Sequence, residues 1–137
     1  MEPAPPGLDV NGDPPDLRGL RCDALLCDEY RFQGKLENAA NVVYLYFGGS
    51  WHRLYFDWGI VFWRPYHGPP EAVEPTEDGA AFPLVDLAAR FGLAGVRLRG
   101  YRMEPLPLGA RVTFEFENGV ALAFRNEDDR TTYDVHR

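Results

Sequence analysis

Apolar and polar positions alternate along most of this chain. The densest run, NVVYLYFGGSWHRLYFDWGIVFWR from Asn41 to Arg64, sets β-branched and aromatic residues between two glycine-bearing turns. Period-two alternation of this kind predicts three short antiparallel strands. A two-residue Gly49-Ser50 turn sets Phe47 opposite His52, Leu45 opposite Leu54 and Val43 opposite Phe56. A three-residue loop, Asp57-Trp58-Gly59, then pairs Phe56 with Ile60 and Leu54 with Phe62. One face is aliphatic with phenylalanine, and the reverse gathers Tyr44, Tyr46, Trp51, Arg53, Tyr55, Val61 and Trp63. Both faces carry apolar bulk, so the sheet needs cover on two sides, from other elements or from a partner.

Around this meander the pattern is sparser. Residues 1–15 hold five prolines and two glycines, with too little apolar surface to offset the entropy of ordering, and read as a disordered or extended arm. Asp16 is placed to cap one helical turn at Leu17, followed by a strand to about Phe32 and a polar connection from Gln33 to Asn41. Pro65 to Ala81, proline-rich and acidic, reads as a linker between halves. Pro83 opens a helix in which Leu84, Leu87, Ala88 and Phe91 share one face and Gly92 is the stop. A strand from Val96 to Met103 carries a bulge at Gly100. In the last hairpin a three-residue loop, Glu117-Asn118-Gly119, pairs Phe116 with Val120, Phe114 with Leu122 and Val112 with Phe124, and a closing strand spans Thr131 to Val135. The fold class expected is α+β, mainly antiparallel meanders with one or two short helices, residues 16–137 forming one domain.

A repeat is also expected, with half-repeats 16–64 and 82–137. An offset of 70 lays Val42-Val43-Tyr44 on Val112-Thr113-Phe114 and Gly49 on Gly119; past the turn an offset of 69 lays Trp51, Arg53 and Tyr55 on Val120, Leu122 and Phe124. That alignment conflicts with the strand register, because it assigns the tyrosine face of the first half to core positions of the second.

Composition narrows the function classes. A length of 137 residues with 45% hydrophobic content suffices for one core without metal or disulfide staples. Two cysteines and a start without a basic-then-apolar run lead us to expect a cytoplasmic chain with reduced thiols. Its longest apolar run, Val42 to Phe47, is far short of a membrane span. The net charge of −7 is concentrated in the flanks: Glu2, Asp9, Asp13 and Asp16, with Glu71, Glu74, Glu77 and Asp78, carry −8 and leave the remainder near +1.

Candidate chemistry is thin. His52, Asp57 and His67 are residue types that ligate metals or exchange protons, and they define an alternative small-molecule pocket, but their spacing matches no metal pattern. No cofactor is expected. Cys22 and Cys27, five apart, match neither a redox nor a zinc spacing and read as buried hydrophobes. Arg97, Arg99 and Arg102 around Tyr101 are the one basic cluster; thirteen of the fourteen basic residues are arginine and the body is near neutral, which argues against nucleic acid. The face with Tyr44, Tyr46, Trp51, Arg53, Tyr55 and Trp63 is the sharper candidate, since Tyr, Trp and Arg concentrate at interface hot spots. Its competing explanation is core, with the Leu84–Phe91 helix laid over it. In size, expected location and β-rich pattern the chain loosely resembles the small immunity proteins that bacteria pair with toxins, a likeness carried by no motif. The function expected is a non-catalytic module binding another protein or itself, the alternative a small-molecule binder or simple enzyme with a pocket between half-sheets.

Overall fold

The computed structural model describes residues 7–137. In chain order the elements are β1 (Val10–Asn11), β2 (Cys22–Phe32), β3 (Lys35–Phe47), β4 (Ser50–Asp57), β5 (Ile60–Tyr66), β6 (Ala80–Ala81), β7 (Leu84–Asp86), α1 (Leu87–Phe91), β8 (Leu98–Leu106), β9 (Gly109–Phe116), β10 (Ala121–Glu127) and β11 (Arg130–His136). A first, seven-stranded sheet runs β1-β5-β4-β3-β2-β6, with β7 also on β2; a second runs β11-β10-β9-β8. All pairs are antiparallel except β1 on β5. The fold is thus mainly antiparallel β in two sheets, with one five-residue helix rather than a substantial α component.

The two sheets share one core. Leu25, Cys27, Val43, Leu45, Phe47, Leu54, Val61 and Trp63 come from the first, and Leu98, Val112, Phe114, Phe116, Leu122 and Phe124 from the second. Aromatic contacts cross between them, Phe47 with Phe116 and Trp63 with Phe114, each at 6.4 Å between ring centres. Backbone hydrogen bonds join Gly19 and Leu20 to Leu98, and Cys22 to Val96. Elsewhere side-chain amides do the joining: Asn126 Oδ1 accepts from the Gly59 N–H, and Asn38 Oδ1 accepts from the Thr131 N–H. Buried backbone groups at these meeting points are therefore satisfied.

Turn chemistry decides the register, and the first meander departs from expectation at both turns. Gly48 and Gly49, at φ 58° and 84°, form the first turn, so Val43 pairs with Leu54 and Leu45 with His52. Two successive left-handed residues are what glycine supplies cheaply, and the two-residue shift leaves each side chain on its expected face. At the second turn Trp58, not glycine, takes φ 47°, followed by Gly59 at 79°. The Trp58 N–H donates to Asp129 Oδ1 and the Gly59 N–H to Asn126 Oδ1, contacts from the second sheet that hold this two-residue turn. The one-residue slip inverts β5, sending Val61 and Trp63 into the core and Phe62 outward.

Three further expectations are corrected. The polar connection from Gln33 shrinks to a Gln33-Gly34 turn, both residues at positive φ, and β3 begins at Lys35. Instead of a helical turn at Leu17, Leu20 N–H reaches back to the Leu17 carbonyl in a tight turn. The helix expected from Pro83 starts only at Leu87, because Leu84–Asp86 pairs with the open edge of β2. Asp86 then caps it through Ala89 N–H, and Gly92 ends it at φ 68°. The final hairpin follows the expected bulged loop, with Phe114 against Leu122 and Val112 against Phe124, and β8 is irregular between Leu98 and Gly100. Of the N-terminal arm, residues 1–6 lie outside the described residues; beyond them Leu8 is buried and Val10–Asn11 lies along β5.

Candidate functional site

The side of the first sheet facing away from the shared core is where three of the strands contribute aromatics. β4 supplies Trp51, Arg53 and Tyr55; β3 supplies Tyr44 and Tyr46; β5 supplies Phe62, Arg64 and Tyr66. Their cross-strand registers, Tyr44 with Arg53, Tyr46 with Trp51, Arg53 with Arg64 and Tyr55 with Phe62, bring them into a ladder. Tyr46 stacks on Trp51 at 4.7 Å and Tyr55 on Phe62 at 5.0 Å; Tyr66 lies 5.1 Å from Tyr44 and meets Trp51 edge-on. All are half-buried. The helix does not cover them, since Leu87 and Ala88 of α1 enter the shared core.

Trp63, expected here, is 1% exposed in the core, its indole Nε1–H directed at Met103 Sδ. Phe62, Arg64 and Tyr66 are the members missed: a one-residue register error at Trp58-Gly59 hid the first two, and Tyr66 was lost because the expected linker Pro65 to Ala81 in fact begins with the end of β5 and closes with β6. Gly68 lies against this ladder: a Cβ there would come within 2.7 Å of the Trp51 ring, so only glycine lets the chain rest on the indole.

At the β2 margin of the ladder Asp28 is buried, its Oδ1 accepting from the Val42 N–H. Burial raises its carboxyl from 3.8 to about 6, against the opposing pull of Val42 N–H and the Asn41 and Tyr44 side chains. Tyr44 is pushed up to about 12, by burial first and then by the Asp28 charge, while Arg53 acts the other way. Because the folded chain holds the Asp28 proton more tightly than the unfolded one, stability falls as pH rises from about 4 to about 6. The loss reaches up to about 3 kcal/mol. Asp28→Asn is expected to remove that slope in urea melts across this range; an unchanged slope would contradict the buried placement.

The alternative pocket is only partly assembled. His52 and His67 line an open pocket of about 420 Å³ with Trp51, Tyr66, Ser50 and Gly68. Asp57 lies at the far end of β4, in the pair next to the Trp58-Gly59 turn, and does not join them. Burial lowers the His52 pKa, favouring neutral imidazole. Among the described residues no three His, Cys, Asp or Glu side chains gather to hold a metal.

The remaining candidates are used structurally. Cys22 and Cys27 are fully buried, free, and raised to about 12 chiefly by burial. The basic cluster disperses: Tyr101 turns toward the core and donates to the Pro15 carbonyl, Arg97 donates to the Gly19 carbonyl, and Arg102 pairs with Glu115 and Glu104. Among the described residues no helix is long and apolar enough to cross a membrane. No family model, curated protein or solved structure matches the chain.

Proposed function

We propose that this protein is a non-catalytic binding module holding another protein, or a second copy of itself, on the outer face of its first sheet. The observation that carries this reading is the ladder of Tyr44, Tyr46, Trp51, Arg53, Tyr55, Phe62 and Tyr66, half-buried by mutual stacking and by the Gly68 segment at Trp51, and among the described residues overlaid by no helix. Large rings fixed by their neighbours lose little side-chain entropy on association, which is why such residues dominate interface energetics. The second sheet's outer side differs, with Arg102, Arg111 and Arg125 paired to Glu115, Glu104 and Glu127, as a solvated surface would be. An immunity-type role, with a toxin as partner, is one form this reading takes.

Support for a duplicated half-domain comes from register. An offset of 70 carries the Asp57↔Ile60 turn pair onto Glu127↔Arg130, while 69 carries Val43, Leu45 and Phe47 onto Val112, Phe114 and Phe116. The extra residue of the Glu117-Asn118-Gly119 loop separates the two offsets, and in this order core positions fall on core positions.

The test is face dependence. Immobilised protein is expected to retain a specific partner, or to self-associate in sedimentation, and the Tyr46→Ser/Trp51→Ser double variant to weaken that by tenfold or more, roughly. Thr132→Lys, on the opposite side of the molecule, is expected to change nothing. Equal retention by the ladder variant, or a strictly monomeric protein that captures nothing, would count against the reading. A second reading, a small-molecule site, is favoured by the pocket at His52 and His67; it requires a ligand whose stabilising effect disappears in His52→Ala.

A further inference from the structure

We propose that Arg53 is a carboxylate-binding site: its guanidinium, flanked by the rings of Tyr44, Tyr55 and Tyr66, receives an Asp or Glu side chain of a protein docked on this face. The inference rests on the binding-module reading and names what the partner presents at the centre of that surface.

What singles out Arg53 among the half-buried arginines is the absence of any partner. Arg31, Arg64, Arg90, Arg97, Arg102 and Arg111 each donate to an oxygen of the chain. Among the described residues Arg53 has neither a hydrogen bond nor an ion pair, and its Nε is buried and unsatisfied. Arg125 also has an unsatisfied Nε, but the Glu127 carboxylate stands 3.3 Å away. The guanidinium carbon of Arg53 lies 5.9 Å from the Tyr55 ring centre and 5.4 Å from that of Tyr66. Ring faces attract the cation yet accept none of its N–H bonds. A half-buried cation with unfilled donors is costly to leave alone and gains strongly from a planar anion.

Charge selects the class of anion. Arg64 stands across from Arg53, but its guanidinium is already bonded to the Asn11 and Trp63 oxygens, so Arg53 is the arginine of this ladder whose planar fork is free to take a carboxylate. Nucleic acid needs a longer series of basic groups than the Arg53 and Arg64 pair supplies on this face. Aromatic surface continues along β4 on both sides of Arg53, to Trp51 in one direction and Tyr55 in the other. A chain crossing the ladder would therefore run past Arg53 in both directions, which fits an internal side chain rather than a chain end.

The experiment titrates ¹⁵N-labelled protein with acetyl-Phe-Glu-Phe-amide, its glutamine counterpart, acetyl-Phe-Phe with a free carboxyl terminus, and inorganic phosphate, following the Arg53 Nε–H and Trp51 indole resonances. The glutamate peptide is expected to shift both saturably, and the glutamine peptide to bind about ten- to hundredfold more weakly. Arg53→Gln is expected to erase this discrimination, and Arg53→Lys, which keeps the charge but not the planar fork, to restore it in part. Equal binding of the glutamate and glutamine peptides overturns the site, as does tighter binding of phosphate or of the free-carboxyl peptide. If those equal affinities are both lost in Trp51→Ser, the face still binds peptides and only the role of Arg53 is wrong; if no peptide binds, the site falls and the surface reading falls with it.

Discussion

Trp63→Ala is expected to cost about 3–5 kcal/mol of folding stability, the range for truncating a large aromatic in a closed core. The side chain is 1% exposed, lies 5.3 Å from Tyr101 and 6.4 Å from Phe114, and its indole nitrogen faces Met103 Sδ. No small rearrangement fills the space, because rings from β8 and β9 already bound it. Its neighbour Phe62 points outward and stacks on Tyr55 at 5.0 Å, so Phe62→Ala is expected to cost on the order of 1 kcal/mol. The pair reads out the β5 register through denaturant melts. A larger loss at Phe62 than at Trp63 would mean that β5 is turned over.

Gly109→Ala is expected to be as damaging, costing about 3 kcal/mol or more. A Cβ at this position would come within 1.7 Å of the Asn126 carbonyl oxygen and 2.7 Å of its carbon, and backbone cannot swing aside as a side chain can. Gly109 pairs with Glu127, and Asn126 is the residue whose Oδ1 receives the Gly59 N–H and whose Nδ2 donates to Thr131 Oγ1. Pushing β10 away from β9 would thus also disturb the joint between the sheets. Gly119→Ala is the control: its φ of 88° carries a backbone cost, but nothing lies within 4 Å of the added atom. A loss of about 1 kcal/mol is expected there. Equal losses at the two glycines would show that conformation, not the clash, governs Gly109.

What could be read from the chain followed the locality of the information. The Glu117-Asn118-Gly119 loop was legible because only one register gives a clean apolar face, and the Gly92 stop because a C-terminal cap is local. The Trp58-Gly59 turn was not: a left-handed tryptophan is held by Asp129 and Asn126, residues about seventy positions away. That miss carried Trp63 into the candidate site and left Phe62 and Arg64 out, while Tyr66 was lost to the linker expected from Pro65, a residue that β5 accommodates at its end. The Pro83 helix lost its first turn for a related reason, since the need of β2 for an edge partner leaves no mark on the Leu84–Phe91 spacing. Five of the six residues expected on the aromatic face, Tyr44, Tyr46, Trp51, Arg53 and Tyr55, nevertheless meet there, because a two-residue shift at Gly48-Gly49 preserves side-chain direction. The unpartnered state of Arg53 could not be read at all, as it depends on which oxygens fail to reach it.

The most direct measurement is acrylamide quenching of tryptophan fluorescence, at dilute protein concentration, in two variants that each retain one indole. Trp58→Phe/Trp63→Phe leaves Trp51, half-buried on the outer ladder, and Trp51→Phe/Trp58→Phe leaves Trp63 between the sheets. Trp51 is expected to be quenched readily and Trp63 to be shielded until the chain unfolds. Trp51 as well shielded as Trp63 in the dilute protein would mean that the outer face is covered, and would contradict its assignment as a binding surface.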